Sequence, residues 1–264
     1  LQKIHRMVRE RDRTMMFWGD IILKHPELIE ELPDDAIALS WGYEADHPFG
    51  EQVAKFAKAG LRYYVCPGTS AWNSISGRLT NARANLLNAA ENGLAAGAHG
   101  FLNTDWGDHG HWQQLPVSLP GYASGAAFSW CLESNRDLDV AAALSAHCFS
   151  DREEAMGAAL CDLGDLYTHT GITMGNRNVF HSLLARGECE LRDGALWGEL
   201  DGSGLENVSR ALSEVGDRLC DASPVTEAGF HHLNDMLATL RHLEVALSLA
   251  EAFLDHGVDK VSSM

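Results

Sequence analysis

Hydrophobic positions in this chain switch spacing as they run, and each switch marks an element. From Leu1 to Arg11, the apolar residues Leu1, Ile4, Met7 and Val8 fall on one helical face with basic residues between them. Thr14–Trp18 then reads as a short buried strand. A short helix is expected over Pro26–Leu32, and a second strand over Ala36–Trp41 after the Pro33-Asp34-Asp35 turn. Phe49–Ala59 returns to helical spacing and stops at Gly60, while Leu61–Cys66 reads as a third strand halted by Pro67-Gly68. A helix over Thr80–Asn92, capped by Gly93, leads to a fourth strand near His99–Leu102, and Gly121–Glu133 completes the series. Strands that alternate with helices at this spacing predict an α/β fold with a parallel sheet of βα units.

The pattern changes near Ser134-Asn135-Arg136. Beyond it, helical periods dominate: Leu138–Phe149, Arg152–Thr168, Val179–Ala185, Leu205–Cys220 and Thr226–His256. The chain therefore divides by sequence into an α/β part, 1–135, and a helical part, 136–264. Ser150 ahead of Asp151, Glu153 and Glu154 suggests an N-cap with an acidic first turn. Phe230, Leu233, Leu237 and Leu240 mark one face of the last helix. The glycine- and acid-rich segment 187–204 reads as an exposed loop.

Charge narrows the partners. A formal charge of -17 without a cluster of Lys or Arg argues against nucleic acid. Cys66, Cys131, Cys148, Cys161, Cys189 and Cys220 lack CxxC spacing and read as free thiols, which suits a reducing, cytoplasmic setting. No apolar run reaches membrane-span length and no signal-peptide pattern is read in the given residues, a start at Leu1 leaving room for a removed leader, so no membrane partner is expected.

Chemistry concentrates after the predicted strands. The run Asn103-Thr104-Asp105-Trp106-Gly107-Asp108-His109-Gly110-His111-Trp112 follows the apolar stretch Gly97–Leu102. It would sit at a strand's C-terminal end, where parallel α/β proteins bind ligands. Trp18-Gly19-Asp20, Trp41-Gly42-Tyr43-Glu44 and Tyr64, upstream of Cys66-Pro67-Gly68, repeat the theme of an aromatic at a strand end. A flat ring offers an apolar surface to the C–H face of a sugar, and carboxylates accept from its hydroxyls. Carbohydrate chemistry is the first expectation.

Over Thr14–Trp130 the chain resembles glycoside hydrolase family 20, the β-N-acetylhexosaminidases with a helical domain after the barrel. The resemblance is carried by Phe17-Trp18-Gly19-Asp20, Leu39-Ser40-Trp41, Val65-Cys66-Pro67-Gly68-Thr69-Ser70-Ala71-Trp72-Asn73 and Thr104-Asp105-Trp106-Gly107-Asp108. It implies a (β/α)8 TIM barrel, of which 1–135 would supply strands five to eight. Trp18, Trp41 and Trp106 would wall the N-acetylhexosamine subsite, with Asp20 beside them. Tyr64 would bond the acetamido group, with Trp72 and Asn73 competing for that part of the pocket. Asp108 would hold hydroxyls at the far rim.

That family hydrolyses with retention by substrate assistance: an Asp orients the 2-acetamido group and the adjacent Glu protonates the leaving oxygen. This chain contains no Asp-Glu dipeptide. No catalytic residue is assigned in it, no cofactor or metal is expected, and the chain is expected to be inactive alone. The resemblance implies a C-terminal half-barrel, an expectation that a start at Leu1 rather than Met suits. Four βα units cannot close a barrel, so the inner sheet face needs a cover. The N-terminal half is the expected cover, with a homodimer of halves or an open sheet as alternatives. Two other readings stay open: a metal-dependent barrel hydrolase using Asp105, Asp108, His109 and His111, and a noncatalytic sugar-binding module.

Overall fold

The computed structural model describes the backbone of residues 1–192 and 202–256, and the side chains of these except 186–192 and 256. The chain forms two compact units, one of 1–68, 82–104 and 125–136, the other of 69–81, 105–124 and 137–264.

The first unit is an α/β layer. Its strands β1 (Met16–Trp18), β2 (Ile37–Trp41), β3 (Arg62–Cys66) and β4 (Gly100–Phe101) lie in the order β1-β2-β3-β4, all parallel. Such pairing requires crossovers, which the intervening helices provide. Helix α1 (Gln2–Arg9) precedes β1; α2 (Asp20–Leu23) and a 3₁₀ segment, Pro26–Glu31, lead to β2. Helix α3 (Phe49–Lys58) joins β2 to β3 and α4 (Leu79–Ala96) precedes β4. Phe49, Val53 and Phe56, spaced four and three apart, put one stripe of α3 on the sheet. There they bury against Ala38, Tyr63 and Val65. Full burial of such a side chain contributes about 1.5–3 kcal/mol. Farther along, Leu86 and Ala90 of α4 meet Phe128 and Leu132 of α5 (Leu119–Asn135).

Because side chains alternate across a strand, the opposite sheet face carries Met16, Trp18, Leu39, Trp41, Tyr64 and Cys66. Met16 is 44% exposed there and Trp18 41%. Among the described residues, the outer edges of β1 and β4 have no strand beside them.

The second unit is helical where the sequence predicts it. After α6 (Val140–Leu144) come a π turn over Ser145–Phe149, α7 (Ala155–Asp165), a 3₁₀ segment, Leu166–Thr170, then α8 (Val179–Arg192), α9 (Gly202–Cys220) and α10 (Glu227–His256). Leu205, Val208, Leu212, Val215 and Leu219 of α9 alternate steps of three and four, as do Met236, Leu240, Leu243 and Leu247 of α10. Those seams bury together in one core. Gly157 lets α7 approach α6, since a Cβ there would lie 2.0 Å from the Ala141 carbonyl oxygen.

Several local expectations change. Gly93 does not end α4: the helix runs on to Ala96, and Gly97 at φ 74 takes the left-handed turn. Gly93 is instead a close approach, where a Cβ would meet Val65 at 3.0 Å. Ser150 is not the cap of α7 but sits at φ 50; the N-cap position is Glu154, itself left-handed at φ 55 and without a side-chain cap, and an amide of the first turn is taken instead by Asp151. Its buried carboxylate accepts from the amides of Met156 (2.8 Å), Ser223 (2.8 Å) and Glu153 (3.4 Å). On α10, Phe230 is 54% exposed and Leu237 36%, so the buried stripe is rotated toward Met236, Leu243 and Leu247. The expected loop over 187–204 is helical to Arg192 and again from Gly202; residues 193–201 and the side chain of Cys189 lie outside the described residues. No disulfide forms among the described residues. Among the described residues, no helix is long and apolar enough to cross a membrane.

Candidate functional site

In the first unit, β1 and β2 run in the same direction and end on Trp18 and Trp41. Each tryptophan is followed by a glycine with a packing reason. At Gly19 a Cβ would meet the Leu39 carbonyl oxygen and the Phe56 ring, both at 3.1 Å, and at Gly42 it would meet the His47 ring at 2.1 Å. The Gly19 amide extends the ladder by donating to Leu39 (2.8 Å), which leaves Asp20 at the strand end. There the Trp41 indole donates to Asp20 Oδ1 at 3.3 Å, and the Trp41 ring stacks on Tyr43 with centroids 5.2 Å apart. An aromatic platform and an acceptor carboxylate thus meet at the C-terminal ends of β1 and β2.

Tyr64 is placed differently from the sequence expectation of a strand-end residue, in the middle of β3 rather than at its tip. It pairs with Gly100 of β4, and its ring covers that glycine, where a Cβ would come within 2.4 Å. Next to it, burial pushes the Cys66 thiol up to about 12, so the sulfur is a neutral packing group. Burial also lowers the His47 pKa, against the raising effect of its hydrogen bond to Gln52 Oε1, and keeps the imidazole neutral near pH 7.

The second unit holds the other predicted residues. Trp72 and Asn73 belong to a fully buried segment, 69–79, held by Asn176 and by Asn178, whose amide donates to the Asn73 carbonyl (3.0 Å) and whose Nδ2 donates to the Gly77 carbonyl (3.2 Å). Trp72 Nε1 donates to Asn176 Oδ1 (2.9 Å) and Asn73 Nδ2 to the Asn176 carbonyl (3.3 Å). Ser70, Asn73 and Ile75 have φ of 53, 54 and 66, left-handed values that suit a β-branched isoleucine least. Such residues cost about 1–3 kcal/mol each and cluster at functional sites.

Asp105 proves to be the organising carboxylate of this unit. It accepts hydroxyl hydrogens from Thr69, from Ser118 at 2.8 Å and from Tyr122 at 3.1 Å. Burial, and after it the Asp105 charge, pushes the Tyr122 phenol up to about 12, so Tyr122 remains a donor at any ordinary pH. Trp106 is half-buried, with its carbonyl accepting from Gln113 Nε2 (2.9 Å). Asp108 is exposed on a short turn in which His109 and His111 are left-handed, at φ 55 and 56, and Trp112 closes the turn by donating to the His109 carbonyl (2.8 Å).

Sequence reasoning therefore named Trp41 and Asp20, which touch, and passed over Tyr43, Tyr122 and Asn176, which complete the clusters. Tyr43 lay within a quoted motif; Tyr122 and Asn176 carried no local signal because their partners are distant in sequence. Asp105, Asp108, His109 and His111 do not form a donor cage: among the described residues, no three His, Cys, Asp or Glu side chains gather around a point that could hold a metal ion. No known family's profile matches the chain, and no curated protein matches it in sequence.

Proposed function

We propose that this chain is the sugar-binding, C-terminal portion of a β-N-acetylhexosaminidase-like glycoside hydrolase, a partial (β/α)8 barrel of strands five to eight followed by helices. The observation that carries the reading is the Trp41–Tyr43 stack beside Asp20, at the C-terminal end of a parallel sheet. A stacked ring gives a pyranose its apolar face, and a carboxylate next to it accepts from equatorial hydroxyls. Sugar-contacting roles for Trp18, Tyr64, Trp72, Asn73, Trp106 and Asp108 rest on the family resemblance. The half-open sheet face and, among the described residues, two strand edges without a neighbouring strand suit a barrel completed by another half, the proposed partner alongside the glycan.

Titration with N-acetylglucosamine, followed by isothermal calorimetry, tests the reading. Wild-type chain should bind, and Trp41→Ala should bind at least tenfold more weakly, the loss of one stacked ring and of the donor that orients Asp20. No binding by the wild type, or equal binding by Trp41→Ala, would remove the platform from the site.

A further inference from the structure

The loop that follows Trp41, residues 42–48, carries Tyr43 and returns to α3 without regular structure of its own. Its carbonyl groups must still be paired, because Gly42 is buried and an unpaired buried acceptor is costly. Two asparagines one turn apart on α4 supply the donors. Asn85 Nδ2 donates to the carbonyls of Gly42 (3.0 Å) and Glu44 (2.8 Å), and Asn88 Nδ2 to those of Ala45 (3.0 Å) and His47 (2.8 Å). Asn85 is fully buried, and its Oδ1 accepts the amide of Gly68 (3.1 Å), just past the end of β3. Asn88 is in turn held by Asn92, whose Nδ2 donates to Asn88 Oδ1 at 2.7 Å.

From this ladder we infer that Asn85 and Asn88 are positioning residues for the Trp41–Tyr43 platform, locking the ends of β2 and β3 to one turn of α4. The inference rests on the sugar-binding reading for what the platform does, though not for how it is held. Only asparagine has the reach and the paired functions. Aspartate lacks both donors, glutamine is one methylene too long for a carbonyl already 2.8 Å away, and alanine removes both side-chain donors at once. From the loop side, the closure depends on Gly42, whose missing side chain gives the His47 ring its place. His47 then bonds Gln52 (3.2 Å), which also accepts from Ser40 of β2 (2.9 Å), so the loop is tied to the strand it leaves.

The test compares the full chain with Asn88→Ala, and with Gly42→Ala, which disturbs the same loop from its other side, by amide hydrogen exchange and by N-acetylglucosamine titration. Both variants should exchange the amides of 42–49 at least tenfold faster and bind the sugar about tenfold more weakly, with the α9 and α10 core amides unchanged. Loop exchange equal to wild type in Asn88→Ala would overturn the inference, as would faster exchange with unaltered sugar affinity. Should the wild type bind no sugar, the functional reading fails, and loop exchange alone decides whether the asparagines hold the platform.

Discussion

His47 shows how one side chain reports on the loop that carries Tyr43. Its ring lies against Gly42 and edge-on to Phe49, with centroids 4.6 Å apart, and burial is the main cause of its lowered pKa. The charges of Asp46 and Glu44 and the Gln52 bond oppose that shift without cancelling it. For linkage, a base whose folded pKa lies below its unfolded value of about 6.5 takes up protons preferentially when unfolded. Stability from this group is therefore undisturbed above pH 6.5 and falls as pH drops through that value toward the folded pKa. Chemical denaturation at pH 7.5 and 5.5 should show a loss for the wild type that is smaller in His47→Gln, which cannot charge. An equal loss in both proteins would mean that the imidazole is not held neutral.

At the level of elements, the seam of α10 separates pattern from packing. Leu243 is fully buried, whereas Phe230 is 54% exposed although the sequence pattern places it on the core face. Leu243→Ala should cost about 2–5 kcal/mol, the range for deleting a buried leucine, while Phe230→Ala should stay within about 0.5 kcal/mol. Urea melts of the two variants check the stripe, and a reversed ranking would restore the sequence-based face. The four strands and most helices were legible because their apolar spacing is local: Phe49, Val53 and Phe56 announce α3 before any partner is known. The stripe on α10 was harder to read, because a helix of 30 residues offers several apolar lines and only packing within the helical core selects one. Trp41 and Asp20 were readable from strand-end motifs. The hydroxyl partners of Asp105 were not, since Ser118 and Tyr122 converge on it through folding alone. The asparagine ladder was likewise silent, because the carbonyls it serves lie some forty residues earlier in the chain.

Across the whole molecule, the proposed chemistry separates binding from bond cleavage. The chain offers a ring platform with an acceptor carboxylate, yet contains no Asp-Glu dipeptide to orient an acetamido group and protonate a leaving oxygen. Two of its strand-end acids already have partners. Asp20 takes the Trp41 indole hydrogen and Asp105 takes three hydroxyl hydrogens. Asp108 stands exposed to water on the short turn that Trp112 closes. General acid catalysis supplies a factor of about 10²–10⁴, and binding residues do not replace it. The 264 residues alone should therefore bind N-acetylglucosamine and leave a chromogenic N-acetylglucosaminide intact over hours at neutral pH. Sustained release of the chromophore, abolished by Asp20→Asn or Asp108→Asn, would place the acid within this chain and displace the binding role argued for that residue.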